Sequence, residues 1–281
     1  MIHGYTSPRF LGGLYRTLYP FAAVLPDINT LPSTRIGTNV TAAGSTHTKG
    51  AYTTLIASTT NAVYQLNLGI RDPGAGGTQY SFLLDLAVGA AAAETNILDN
   101  LDVGFSTPQE SYRWWTLGGV YIPANTRISA RIQCSTASRN LYMLLAASGA
   151  IAVPPAASAW TTYGAVTASS RGTSVTPGNG VWGSWTSIGT TTANHSIFVV
   201  GAGPNNSSLS SAGYRLWEVG FGPDSSTVTI IGTQRCAHVS GAGLSTIEPQ
   251  VLNGSVPSGS NLYIRAADSY TSAMGMTIHA L

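Results

Sequence analysis

The sequence contains an internal repeat, and this feature restricts the possible folds more than any other. A displacement of 133 residues aligns two blocks without a gap, and displacements of 134 and 135 align two more in the same order. The aligned segments are Gly50–Leu55 with Gly183–Ile188, Leu83–Gly89 with Leu216–Gly222, Arg131 with Arg265, and Gly37–Thr41 with Gly172–Thr176. Because self-similarity at a fixed displacement indicates duplicated units, we predict two copies of one domain, at residues 35–145 and 170–281.

Within each copy, apolar residues alternate with other residues along short segments. Leu84, Leu86 and Val88, for example, alternate with Asp85 and Ala87. A period of two with one apolar face is typical of a half-buried strand. The pattern predicts an all-β protein made of two tandem antiparallel β-sandwiches. We favour a jelly roll, and an immunoglobulin-like sandwich stays open because strand number does not fix the connections.

Two segments depart from this pattern. Residues 146–169 are rich in Ala, Ser and Thr and contain two adjacent prolines, which predicts an extended linker between the copies. Gly89–Leu98 contains four alanines and is the one helix candidate.

Residues 1–34 have no counterpart in the second copy and are rich in aromatic and other apolar side chains. The side chains expected to bind are Tyr5, Phe10, Leu14, Tyr15, Tyr19 and Phe21. An apolar segment outside a self-sufficient domain must be buried somewhere, either on its own sandwich or on another protein. We predict that residues 1–34 form a docking arm for another subunit, with packing on its own sandwich as the alternative.

Charged side chains are scarce in this sequence. They make up 9% of the residues, against about 25% in an average soluble domain, and the formal net charge is +2. This composition excludes a coiled coil and a strongly electrostatic nucleic-acid-binding protein. The apolar stretch Phe10–Leu25 is interrupted by Arg16 and Pro20, so we expect neither a membrane span nor a signal peptide.

The sequence has no motif typical of a catalytic, cofactor-binding or metal-binding site. The five histidines lack the spacing of metal ligands, and Cys134 and Cys236 are expected to be two buried thiols. Asp99 and Asp102 could offer carboxylates to calcium, but they lack the spacing of an ion-binding loop and predict a solvated turn. We therefore expect a protein without a cofactor or metal that is not an enzyme.

One acid–base pattern is common to both copies. Asp85 aligns with Glu218 and Arg131 aligns with Arg265, and each lies on the strand face opposite the apolar set. A catalytic role would need a second carboxylate at a matched position, which neither copy has. We predict two structural ion pairs, Asp85 with Arg131 and Glu218 with Arg265, on an outer sheet face or between the sandwiches.

The aromatic residues of the two copies allow two interpretations. Exposed rings flanked by Asn and Thr, such as those among Tyr112, Trp114 and Trp115, can stack on sugar rings, but burial is the favoured interpretation. Tyr52 and Trp185 align across the copies, which predicts a shared role in the two cores.

Three stretches of the sequence resemble structural proteins of tailed-phage virions: Thr53–Thr59, Leu83–Glu94 and Tyr121–Ile128. The resemblance implies a virion structural protein, such as a head decoration, spike, collar or tail-fibre component. It also implies synthesis in the host cytoplasm, capsid, portal or tail proteins as partners, and a homo-oligomer, most simply a trimer. The alternative is a carbohydrate-binding or receptor-binding adhesin that recognises host-surface glycans. A polysaccharide hydrolase is a third reading, but the sequence lacks the pair of carboxylates it needs.

Overall fold

The protein is built almost entirely from β-strands. The computed structural model describes residues 22–24, 37–72, 80–104, 112–149, 158–205, 213–239, 243–245, 251–269 and 272–281. Over these residues the chain forms 21 strands and one 3-10 turn at Thr167–Ser169. Within the same residues, no helix is long and apolar enough to cross a membrane.

The strands fall into an N-terminal half, β1–β9, and a C-terminal half, β10–β21. The first nine are β1 (Ala22–Val24), β2 (Thr38–Thr41), β3 (Thr53–Ile56), β4 (Val63–Arg71), β5 (Phe82–Val88), β6 (Thr95–Asp102), β7 (Arg113–Ile122), β8 (Ile128–Cys134) and β9 (Asn140–Gly149). The others are β10 (Thr161–Tyr163), β11 (Ala165–Val166), β12 (Arg171–Val175), β13 (Gly178–Asn179), β14 (Thr186–Thr190), β15 (His195–Pro204), β16 (Gly213–Gly222), β17 (Thr229–Val239), β18 (Gly243–Ser245), β19 (Leu252–Val256), β20 (Asn261–Asp268) and β21 (Met274–Ala280).

Each half contains two sheets, and the strand order is the same in both halves. Sheet 1 has the order β2-β9-β4-β7 and sheet 2 the order β3-β8-β5-β6, with β1 also paired to β9. Sheet 3 has the order β12-β21-β15-β19, and sheet 4 contains β14-β20-β16-β17. Counted along the chain, the eight main strands of each half are ordered 1-8-3-6 and 2-7-4-5, which is the double Greek key of a jelly roll. The predicted all-β, jelly-roll-like fold is therefore confirmed.

Alternation along the strands buries one side of every sheet. In each half, the apolar core draws on both of its sheets, and Trp115 and Trp217 are among the largest side chains that are fully buried. The core positions include Leu66, Leu68, Leu84 and Ile132 in the N-terminal half, and Phe198, Val200, Val219 and Ile264 in the C-terminal half.

The stretch predicted as a linker, residues 146–169, contains paired strands. β9 extends to Gly149, and β10 and β11 pair with β21 and β12. The domain boundaries at 35–145 and 170–281 stay a prediction.

The predicted helix at Gly89–Leu98 is wrong. Residues 89–94 form a turn, in which Gly89 and Ala92 have φ angles of 117° and 65°, outside the range of a right-handed helix. β6 begins directly afterwards, and Leu98 pairs with Leu86 of β5. Pairing with β5 and burial of Leu98 outweigh the helix propensity of the alanines, which is worth only a few tenths of a kcal/mol per residue.

The two halves meet through an edge of one and a face of the other. β6 is the edge strand of sheet 2, and it lies against β15 and β21 on the outer face of sheet 3. Val200 of β15 points into the C-terminal core, whereas the neighbouring Val199 belongs to the N-terminal core. This packing covers an edge strand that would otherwise be open to pairing with other chains.

Candidate functional site

The two predicted acid–arginine pairs occupy corresponding places in the two halves. Asp85 of β5 lies directly opposite Arg131 of β8, and Glu218 of β16 lies directly opposite Arg265 of β20. The structure brings each of these acids into contact with its arginine. Their structural role stays a prediction.

In the N-terminal half, the carboxylate of Asp85 is surrounded by donors. Arg131 Nε donates to Asp85 Oδ2 at 2.8 Å, and Lys49 Nζ lies 2.6 Å from Oδ1. The backbone N–H of Asn100 also donates to Oδ1, at 2.9 Å. Asp85 is only 1% exposed although it lies on the outer side of its sheet, because these groups cover it. The carboxylate is thus fully used in binding its neighbours.

Tyr52 and Lys49 extend this cluster. The Arg131 guanidinium lies 4.4 Å from the centre of the Tyr52 ring, within cation–π range. The Tyr52 hydroxyl donates to Asn96 Oδ1. Burial lowers the pKa of Lys49, against the attraction of Asp85, and burial raises the pKa of Tyr52. In both cases burial acts against the charged form of the side chain, and for Lys49 the carboxylate of Asp85 acts in the opposite direction.

The C-terminal half repeats the arrangement with larger rings. Arg265 Nε donates to Glu218 Oε2 at 2.8 Å, and Thr233 Oγ1 donates to Glu218 Oε1 at 3.3 Å. The guanidinium lies 4.4 Å from the Trp185 ring centre and 5.0 Å from that of Trp182. In each half, therefore, an arginine is bound to an acid and lies over an aromatic ring, and we call this group an arginine stack.

These stacks correct one prediction and add one residue. Tyr52 and Trp185 do not belong to the cores as predicted, since both are only partly buried and cover the outward arginines. Lys49 was missed because a lysine in a loop carries no periodic signal. Lys49 is the single lysine of the sequence, and this was the available clue to its role.

The six predicted docking residues, Tyr5, Phe10, Leu14, Tyr15, Tyr19 and Phe21, lie outside the described residues. Of residues 1–34, the structure describes Ala22–Val24, which pair with β9 as β1. The docking role of the arm stays a prediction.

A second polar cluster lies in the seam, which we define as Asp102, Gly104, Gly172, Thr277, His279 and Thr162. Asp102 Oδ2 accepts the backbone N–H of Gly172 at 2.6 Å, and Oδ1 accepts that of Gly104 at 3.1 Å. The side chain is 0% exposed. Burial raises the pKa of Asp102 to about 7, although both N–H groups and two arginines oppose the shift. The prediction that Asp102 lies in a solvated turn is therefore wrong. Asp102 is buried in strand β6, at the contact between the two halves.

The remaining seam residues form a directed chain of hydrogen bonds. Asp102 N–H donates to Thr277 Oγ1 at 3.2 Å, and Thr277 Oγ1 lies 2.9 Å from His279 Nε2. On the other side of the ring, Nδ1 lies 3.0 Å from Thr162 Oγ1, which itself donates to the carbonyl of Asp99 at 2.5 Å. Because the Thr162 proton is used by that carbonyl, Nδ1 must donate to Thr162 Oγ1, and in the neutral imidazole Nε2 then accepts the Thr277 hydroxyl proton. Burial lowers the pKa of His279 to about 3, in agreement with this state.

Glycines allow the seam to close. A Cβ at Gly275 would lie 2.7 Å from Asp102 Oδ2, and one at Gly201 would lie 2.8 Å from Asp102 N. A Cβ at Gly203 would overlap Asp102 Oδ1. Any larger residue at these positions would push β6 away from sheet 3, so the seam depends on small residues in β15 and β21 as much as on its polar groups.

Neither cluster has the composition of a metal site. Within the described part of the chain, no group of three His, Cys, Asp or Glu side chains could hold a metal ion. Of the two cysteines, Cys134 is a buried free thiol, and the side chain of Cys236 lies outside the described set.

Comparison with known proteins gives similarities of fold only. No protein-family model and no curated protein matches the sequence. Among solved structures, STIV MCP is 8% identical with a TM-score of 0.36, covering 87% of this chain and 96% of its own. Broad Bean Stain Virus gives 10% identity and a TM-score of 0.36, with 89% of each chain covered. PNGase F, a glycosylasparaginase from Flavobacterium meningosepticum, is 12% identical with a TM-score of 0.35, covering 86% of this chain and 95% of its own.

These neighbours include both virus capsid proteins and an enzyme. At such identities and TM-scores they carry no argument about what this chain does. The prediction that the protein is not an enzyme is nevertheless corrected, because an enzyme, PNGase F, is among the neighbours and a fold of this type does not exclude catalysis. That prediction relied on the absence of catalytic motifs from the sequence, whereas folding can bring together groups that are distant in the sequence. The folded chain does bring ionisable groups together, as the contacts of Asp85 with Lys49 and Arg131 illustrate, although there they bind one another.

Proposed function

We propose that the protein is a structural component of a tailed-phage virion, attached to capsid, portal or tail proteins by its N-terminal arm. The observation that carries this proposal is the pair of jelly rolls with one strand order, joined through a buried polar seam. Jelly rolls recur in viral capsids and in lectins, where a rigid sandwich presents loops and sheet faces to partners. A body of this kind is suited to repetitive assembly.

The surface chemistry supports assembly as well. The ionisable side chains of the described residues are largely engaged in internal pairs, such as those of Asp85, Glu218 and Asp72. A surface made mainly of Ser, Thr, Asn and Gly offers little charge for salt to screen, so contacts between subunits would persist over a wide range of ionic strength. Closed cyclic symmetry, most simply a trimer, is the arrangement we propose for such a component.

Immunogold electron microscopy tests the proposal directly. Antibodies raised against the full chain should label particles of the source virus at one defined location, on the head, collar or tail. Absence of label from purified particles, with the same antibodies detecting the protein in infected cells, would contradict a virion role.

The arm is tested by substitution rather than by deletion, so that chain length is kept. We expect a variant with Ser at all six docking positions to sediment as a monomer and to be missing from particles. A matched control carries Ser at the exposed positions Val181 and Ile230, which lie outside the arm. Normal incorporation of the arm variant would contradict the docking role.

An adhesin is the second candidate function, and one observation favours it. Trp114 is 44% exposed on a sheet face, where an aromatic ring has no structural need to be in contact with water.

A further inference from the structure

The outer faces of sheets 1 and 3 are topologically equivalent but chemically different. The face of sheet 3 is covered by β6 and is lined by glycines and by the seam residues Thr277 and His279. On the face of sheet 1, β7 carries Trp114 and Tyr121, each 44% exposed. Among the described residues, the outer face of sheet 3 is therefore covered, whereas Trp114 and Tyr121 on the outer face of sheet 1 are exposed.

The ring of Trp114 is held flat against the sheet. Gly69 is its direct cross-strand partner on β4. Three consecutive atoms of the six-membered ring, Cζ2, Cη2 and Cζ3, lie 3.0, 2.9 and 2.9 Å from the position that a Cβ at Gly69 would occupy. A point equidistant from three consecutive atoms of a hexagon lies above its centre, so the ring lies face down on the glycine. Its opposite face is therefore presented to the solvent as a preformed platform.

Uncharged polar side chains lie in register beside this platform. Thr116 follows on the same face of β7, opposite Asn67 of β4, and Gln65 continues the row. Thr116 Oγ1 donates to Asn67 Oδ1 at 3.0 Å, and Gln65 Nε2 donates to the same oxygen at 3.2 Å. Neither bond uses the N–H donors of Asn67 or the carbonyl oxygen of Gln65. Both amides thus keep hydrogen-bonding capacity next to a flat ring.

A second aromatic group stands farther along β7. Tyr121 packs on Tyr64 with ring centres 5.3 Å apart. It is separated from Trp114 by about 23 Å, given a strand rise of about 3.3 Å per residue. Between the two lie Thr116 and Gly118, and a Cβ at Gly118 would have no atom within 4 Å, whereas Gly119 lies against Leu281 and Ile197 of the C-terminal half.

We propose that the outer face of sheet 1 binds a neutral carbohydrate chain, with one pyranose ring stacked on Trp114 and its hydroxyls bound by Asn67, Gln65 and Thr116. A pyranose has an apolar face of C–H groups and a rim of hydroxyls, which matches a flat ring bordered by amides. A purely apolar protein partner would leave those amides without hydrogen-bond partners, which is unfavourable. This inference goes beyond the proposed virion role and does not depend on it.

Direct binding measurements with defined sugars test the site. The full chain is screened on a glycan array, and maltohexaose, cellohexaose and chitohexaose are titrated by isothermal calorimetry. We expect binding to at least one neutral oligosaccharide. Trp114→Ala should weaken it by at least tenfold, as for truncation of a central aromatic contact. Gly69→Ala should weaken it as well, because the new methyl group lifts the ring, whereas Trp114→Tyr should retain part of the affinity.

Two controls separate binding from folding. Val181→Ala, at an exposed apolar position in the C-terminal half, and Trp185→Ala, in the arginine stack, should bind as the wild type does. Thermal unfolding checks that each variant folds. The proposal is overturned if the wild-type chain binds no glycan on the array, or if a folded Trp114→Ala variant binds with unchanged affinity. Either result would leave particle labelling unaffected, so failure here is distinguishable from failure of the virion role.

Discussion

Replacing Asp102 by Asn should change how the stability of the protein depends on pH. In the folded protein the carboxyl is buried and its pKa rises from 3.8 to about 7. Between these values the unfolded chain loses its proton while the folded chain keeps it, so the free energy of unfolding falls as pH rises. Below pH 3.8 this contribution is complete, and above about pH 7 it has been lost. The total amounts to about 4 kcal/mol, of which about 3 kcal/mol is lost between pH 5 and pH 8.

The Asn variant keeps the shape of the side chain but loses both the charge and one acceptor. One backbone N–H, from Gly172 or Gly104, then faces an amide N–H₂ instead of an oxygen. This unmade hydrogen bond costs about 1–3 kcal/mol at every pH. We therefore expect Asp102→Asn to be less stable than the wild type at pH 5, and equally or more stable at pH 8.

Urea unfolding at pH 5, 6, 7 and 8, followed by tryptophan fluorescence, measures both curves. The buried His279 contributes an opposite slope, since its pKa is lowered, but it is present in both proteins and cancels from the difference. Asp224→Asn is the control, because hydrogen bonds from Ser226 lower the pKa of Asp224 and place its titration below this range. A difference between Asp102→Asn and the wild type that stays constant from pH 5 to pH 8 would refute the reasoning.

Three other predictions concern individual contacts. Gly203→Ala should lower the free energy of unfolding by about 1–3 kcal/mol, since its Cβ would overlap Asp102 in the seam; Gly44→Ala, with no atom within 4 Å, should be neutral or slightly stabilising in the same urea titration. A double-mutant cycle on Glu218 and Arg265, which are 10% and 24% exposed, should give a coupling of about 1 kcal/mol, and zero coupling would contradict the ion pair. Burial raises the pKa of the Cys134 thiol to about 11, so iodoacetamide followed by peptide mass spectrometry should find it alkylated only after unfolding, and rapid labelling of the native protein would be inconsistent with its burial.

The strand pattern could be predicted because the information is local. Alternation at Leu84, Leu86 and Val88 assigned a face to each residue, and the repeat placed Asp85 and Glu218 at equivalent points. Direct cross-strand pairing then brought each acid to its arginine. Wherever a residue's role depends on the period of its own strand, one sequence is sufficient to predict it.

The seam could not be predicted, because its parts are distant in the sequence. Asp102 and Thr277 are 175 residues apart, and no periodic pattern connects them. The polar composition of Asp99–Asp102 lowers its strand propensity and favoured a turn. The alanines before it favoured a helix. Long-range pairing decided both outcomes, and the flat position of Trp114 on Gly69 likewise needs knowledge of which strands are neighbours.

The distance in sequence between the two sides of the seam has a consequence in time. At about 5–20 residues per second, a ribosome needs about 6–26 s to proceed from Gly149, where the last strand of the N-terminal half ends, to Thr277. During this interval β6 is an uncovered edge on a half that has already been synthesised, and it could pair with the same edge of another nascent chain. Until the seam forms, the carboxylate of Asp102 is exposed to water and ionised at neutral pH, and it would repel the same carboxylate of such a partner. The acid that later binds β12 and β21 would then first serve to keep newly made chains apart.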